Sequence, residues 1–137
     1  MSEKALGRLL ARRLGPRWVH THHHDLTPGV PDYSYAVGGW LELKHRPAWP
    51  ARAETPVRLS DGSWPAQRLF LRRRAAAGER CFVLLQVGRG LWLYRLADLL
   101  RVEGEQQHAW RAAACWVGDT RTADWGQLLG ILTGTED

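Results

Sequence analysis

Two acids and a lysine in the first third of the chain have types and spacings suited to handling a divalent cation. Asp32 closes the run Gly29-Val30-Pro31-Asp32, and Glu42 and Lys44 sit in Trp40-Leu41-Glu42-Leu43-Lys44. Side chains on a strand alternate faces, so Glu42 and Lys44 share one face while Leu41 and Leu43 take the other. The leucines pack inward, and a carboxylate and an ammonium group are left side by side. Two carboxylates on adjacent strands make a hard oxygen site suited to Mg²⁺ or Mn²⁺. The carbonyl of Leu43 is a candidate third ligand. A metal held there lowers the pKa of a bound water and neutralises charge on a phosphate oxygen. Lys44 is placed to orient that water or to stabilise developing negative charge.

Whether Asp32 reaches the face of Glu42 depends on the turn between their strands. A two-residue Gly38-Gly39 turn pairs Tyr35 with Glu42 and puts Asp32 on the wrong face. A three-residue loop, Val37-Gly38-Gly39, pairs Ser34 with Glu42 and Asp32 with Lys44. Asp32 and Glu42 then become diagonal neighbours, roughly 7 Å apart at Cβ. Such a loop needs a glycine at its left-handed position, and Gly39 supplies it. The expectation is therefore a loop of odd length or a bulge.

The elements that must hold these residues can be read from the surrounding pattern. Leu6, Leu9, Leu10 and Leu14 recur at helical spacing over residues 3–14, and Gly15-Pro16 ends that helix. Short strands are expected at residues 17–22, 30–37 and 40–45. Residues 46–63 are rich in Pro, Arg, Asp and Gly and read as a loop. Ser63 is a candidate cap for a helix with Pro65 in its first turn, running to Ala77 and ending at Gly78. Residues 81–87 form an apolar, β-rich run, and a further strand is expected at 91–94. Beyond it the pattern weakens to a short helix at 96–100 and a terminal helix capped by Asp124. The order helix, three strands, helix, two strands and a mixed tail implies an α/β (α+β) domain, a central mixed sheet flanked by helices.

Bulk properties narrow the class. With 137 residues the chain fits one domain, and at this size about two thirds of the unfolded surface can be buried. No apolar run reaches the roughly 18 residues a membrane span needs. The opening Met1-Ser2-Glu3-Lys4 is not a signal peptide, so an intracellular, cytoplasmic location is expected. Cys81 and Cys115 form no CxxC pair and are expected as partly buried free thiols. The formal charge of +5 rests mostly on arginine, whose planar fork suits phosphate. That raises the prospect of a polyanionic partner.

The stretch GVPDYSYAVGGWLELK, followed by WPAQRLFLRRRAAAGERCFVLLQ, resembles the PD-(D/E)XK nuclease superfamily. The similarity is to its small VRR-NUC and Holliday junction resolvase-like members and covers about residues 1–95, leaving 96–137 as a C-terminal extension of unassigned role. The resemblance implies a restriction-endonuclease-like αβββαβ core. It also implies Asp32 and Glu42 as metal ligands, Lys44 as the catalytic lysine, Gln67 as the helix glutamine near the site, and Glu3 as the first helix's acid. An acid favoured by the helix dipole explains Glu3 equally well. The loop at 46–63 is longer than the link the resemblance leads one to expect.

Other residues bear on substrate binding. His22 and His24 share a strand face and are candidates for meeting phosphates; the tract His20 to His24 fits no HExxH or C₂H₂ spacing. Arg68 and Arg72, four apart, share a helix face. That face suits phosphate or plain solvent equally, whereas Lys44, Arg46, Arg52 and Arg58, which surround the site in sequence, suggest a groove following a nucleic-acid backbone. Trp40 falls on the face of Glu42, and Trp49 and Trp64 flank the long loop, where stacking on bases competes with core packing. The leading expectation is a Mg²⁺- or Mn²⁺-dependent endonuclease on DNA, branched or junction DNA by resemblance, working as a homodimer. Two other classes compete. A DNA-binding protein on a nuclease fold would bind without metal dependence, and a zinc protein built on the histidine tract would carry zinc in elemental analysis.

Overall fold

A computed structural model describes residues 3–15, 19–21, 33–35 and 39–135. The chain runs α1 (Glu3–Leu14), β1 (Val19–Thr21), β2 (Tyr33–Tyr35), β3 (Gly39–Arg46), α2 (Trp64–Ala76), β4 (Arg80–Val87), β5 (Gly90–Arg95), α3 (Leu96–Val102), α4 (Gln107–Ala113), β6 (Trp116–Asp119) and α5 (Trp125–Thr133). The expected α/β class and the αβββαβ opening are present. The strands lie in chain order in one six-stranded sheet. The β3–β4 pair is parallel, and every other neighbouring pair is antiparallel.

That parallel pair dictates the layout. Parallel neighbours cannot be joined by a tight turn, so the chain must leave the sheet and return. It does so through residues 47–63 and α2. Both strands are thereby covered on both faces. On one side α1 and α5 press Leu6, Leu10, Leu128 and Ile131 against Leu41, Leu43, Phe82 and Leu84. On the other, Trp64 and Leu71 of α2, Leu96 and Leu99 of α3 and Trp110 of α4 meet Val83, Leu85 and Tyr94. Residues 96–135 therefore complete both cores and add β6 to the sheet edge. Among the described residues no helix is long and apolar enough to cross a membrane.

Helix ends follow local chemistry, with one correction. Gly15 and Gly78 close α1 and α2 with φ of 84° and 90°, where a side chain would be strained. Asp124 caps α5, accepting from the Gln127 N–H at 3.0 Å. Ser63 was expected to cap α2 through its side chain, and it does not. Its backbone is helical, and its hydroxyl donates to Asp61 Oδ1 instead.

The hairpin register is also corrected. Ser34 pairs with Trp40, not with Glu42, and Tyr35 pairs with Gly39. Gly39 is not a left-handed loop residue; it is the first residue of β3, buried and paired on both sides. Three positions, 36–38, separate the paired Tyr35 and Gly39. The expected odd spacing is kept while the pairing slides by two residues, so facing is unchanged. Positions 34, 40, 42 and 44 still belong to one face.

Candidate active site

Glu42 and Lys44 lie on the sheet face covered by α2, and they are buried there at 1% and 4% exposure. Their strand neighbours Leu41 and Leu43 pack into the opposite core, as alternation requires. The Lys44 ammonium lies 3.7 Å from Glu42 Oε1. It donates to Gln67 Oε1 at 2.7 Å and to Asp61 Oδ2 at 2.6 Å. The Trp64 ring flanks it with its centroid 5.5 Å away. A buried ammonium is costly unless it is paired and hydrogen-bonded, and Lys44 is both.

Each partner is delivered by a specific local device. Gln67 lies on the buried stripe Trp64, Gln67, Leu71 of α2, so its amide faces the sheet rather than solvent. Asp61 comes from the loop after β3. That loop is pinned at Val57, which is fully buried. The Val57 N–H donates to the Glu105 carbonyl at 2.8 Å, and its own carbonyl accepts from Gly104 N–H at 2.7 Å. Asp61 Oδ1 accepts from the Ser63 N–H and hydroxyl, which leaves Oδ2 for Lys44. Partial burial pushes the Asp61 carboxyl up; the hydrogen bonds from Lys44 and Ser63 pull it down by more, leaving it below the ordinary carboxylate value. The ion pair therefore contributes fully above the ordinary range and is lost only as pH falls through the lowered value.

A pocket of about 140 Å³ opens beside the ammonium, lined by Lys44, His45, Arg46, Arg58, Leu59, Ser60 and Asp61. Arg46 donates from one terminal nitrogen to the Arg58 carbonyl at 3.0 Å. Its Nε is buried without a hydrogen-bond partner among the described residues. A guanidinium at the edge of such a pocket suits an anionic oxygen.

The structure brings together Glu42, Lys44 and Gln67 of the expected set, with Arg46 at the pocket's edge. Asp32, His22 and His24 lie outside the described residues, as does the side chain of Glu3, whose backbone begins α1. Arg68 is engaged by Glu103 at 3.1 Å, whereas Arg72 is exposed. Trp64 cannot stack on a base: it is buried and its indole N–H donates to Glu103. Trp49 packs edge-on against Trp92 beneath Arg111. Among the described residues no group of three or more His, Cys, Asp or Glu could by itself hold a metal ion. The donor chemistry nonetheless suits a hard cation, since Glu42 is a buried carboxylate on a rigid interior strand. Asp61 is the residue that sequence reasoning missed. It sits in an aperiodic loop, and the only available signal was the turn-forming Asp61-Gly62-Ser63 just ahead of α2.

No family model matches the chain, and no curated protein matches it. Among solved structures it is similar to the Hjc protein of Archaeoglobus fulgidus, a Holliday junction resolvase from an archaeal hyperthermophile. The match covers 81% of this chain and 93% of that one, at a TM-score of 0.51 and 19% identity. At that identity the likeness is one of fold: the chain has the fold of a Holliday junction resolvase.

Proposed function

We propose that this protein is a divalent-metal-dependent endonuclease that hydrolyses DNA phosphodiester bonds, with branched or junction DNA as its substrate class. The observation that carries the reading is the buried Glu42–Lys44 pair, secured by Gln67, on the interior strand of a resolvase-like fold. Burying two charges where apolar side chains would pack is costly, and a charge pair kept in that position calls for a functional reason.

In this reading Asp32, Glu42 and the Leu43 carbonyl hold Mg²⁺ or Mn²⁺, with Glu3 contributing from the first helix. The proposal requires Asp32 to extend β2 by one residue in the same register, because Tyr33 already pairs with Leu41 and the next pair is 32 with Glu42. The ion would supply an acidified water and neutralise charge on the scissile phosphate. Lys44 orients the attacking water or stabilises the negative charge that develops on the phosphate. Gln67 holds the Lys44 ammonium in place from α2, accepting from it at 2.7 Å. Arg46, at the edge of the pocket, offers its guanidinium charge to a phosphate oxygen, and Arg72, Arg68, His22 and His24 extend the contact along the backbone. A symmetric pair of protomers would cut both strands.

The test is cleavage of labelled four-way junctions and linear duplexes with Mg²⁺, Mn²⁺ or chelator. Asp32→Ala and Lys44→Met variants are measured alongside, and light scattering gives the oligomeric state. The expected result is metal-dependent cutting that falls at least about a hundredfold in either variant. Equal cutting by Asp32→Ala would sink the assignment. Tight, salt-steep binding without cutting would leave the DNA-binding reading in its place.

A further inference from the structure

An ammonium group has three N–H donors, and the structure shows where two of those of Lys44 go. One meets Asp61 Oδ2 at 2.6 Å and another meets Gln67 Oε1 at 2.7 Å. Glu42 Oε1, at 3.7 Å, is beyond hydrogen-bonding distance. Asp61 and Gln67 come from separate segments, the end of the long loop and the first turns of α2. Two short bonds fix the head group, and their acceptors are tied to each other through Ser63, whose hydroxyl lies 2.6 Å from Asp61 Oδ1 and 3.4 Å from Gln67 Oε1. A third N–H remains, and Glu42 Oε1 lies 3.7 Å from the nitrogen that carries it.

Asp61 is itself held rigidly enough for this. Its other oxygen is occupied by the Ser63 N–H at 3.1 Å and by the Ser63 hydroxyl at 2.6 Å. The side chain is 45% exposed while that of Lys44 is 5% exposed, so a surface loop reaches inward to a buried cation. The bonds to Ser63 belong to the turn that starts α2; the bond to Lys44 is the one that reaches into the interior.

We propose that Asp61 is a positioning residue for the reaction: together with Gln67 it locks the Lys44 ammonium so that its third N–H faces the Glu42 side, where the phosphate is attacked. The inference rests on the nuclease reading and deepens it, because it makes the loop at 46–63 part of the working site. A misplacement of about 1 Å in a catalytic group is enough to cost on the order of a hundredfold in rate.

The experiment compares wild type, Asp61→Ala and Asp61→Glu in steady-state cleavage of a four-way junction with saturating Mg²⁺, with thermal melting of each. Asp61→Ala is expected to lower kcat roughly ten- to a hundredfold with KM changed less than about threefold, and Asp61→Glu to recover part of the loss. A purely structural role predicts a lower melting temperature with unchanged kcat per folded molecule. That result, or equal loss in the Glu variant, overturns the positioning role. Wild-type protein that cuts no substrate overturns the nuclease reading and removes the role with it. A cutting wild type with an unimpaired Asp61→Ala overturns the role alone.

Discussion

Strands β3 and β4 run parallel and residue against residue, and helices cover both on both faces. They nonetheless have opposite chemistry. Val83 and Leu85 on β4 stand beside Glu42 and Lys44 on β3. All four are buried to 4% exposure or less. Parallel strands hidden on both faces ordinarily read as continuous apolar runs, and Cys81 to Leu85 obeys that rule. The departure on β3 is confined to the α2 side; towards α1 and α5 the same strand presents Leu41 and Leu43 like any core strand. Core packing explains β4 from Cys81 to Leu85. It explains only alternate residues of β3, and the remainder is explained by Gln67, Asp61 and the pocket beside them.

Substitutions can break or sharpen that contrast. The largest effect is expected from Lys44→Leu alone. It removes the ammonium from among its acceptors and should cost about 4 kcal/mol in denaturant unfolding together with all cleavage; a cost below about 1 kcal/mol would mean that β3 is an ordinary core strand. Next is Leu85→Ala on β4, expected to cost about 3 kcal/mol while activity per folded molecule persists. Its loss of activity without loss of stability would erase the distinction between the strands. A triple change, Glu42→Val, Lys44→Leu and Gln67→Leu, carries the β4 chemistry across. It should unfold within about 1 kcal/mol of wild type, or later, and cut nothing. Severe instability there would indicate that the charges hold the fold together rather than serve chemistry. The smallest effect belongs to Asp124→Ala at the start of α5. Loss of that cap should cost about 1 kcal/mol by thermal melting and leave cleavage intact.

Much of this was legible in the residues, for identifiable reasons. The leucine stripe of α1, the apolar run of β4 and the capped α5 each carry one strong period or one unambiguous cap. The alternation Leu41-Glu42-Leu43-Lys44 gave the facing of the key pair without knowledge of the turn. The register could not be read, because Gly38 and Gly39 are equally good loop residues and it is the pairing of Gly39 with Tyr35 and Arg80 that draws it into β3. Helix α4 went unseen: the residue before it is Gln106, whose side chain does not cap it, and only Trp110 among its residues is buried. Four-residue β6 is too short to show alternation, and it is defined by the edge of β5 that it covers. Asp61 was invisible for a different reason. Its importance comes from a contact across 17 positions, which no local pattern encodes.

The clamp at Val57 divides the long loop into two mechanically separate lengths. Residues 51–55 are all exposed and lie on the far side of the clamp from Asp61, while Pro56 belongs to the clamp through its bridge to Gln106. Doubling a flexible loop adds only about 0.6 kcal/mol of closure entropy. This outer length can therefore be extended, shortened or replaced without disturbing the carboxylate downstream. It is the natural seat for a fluorophore or an affinity tag that leaves the chemistry untouched, and the stretch in which variation could accumulate at little expense to the rest of the molecule.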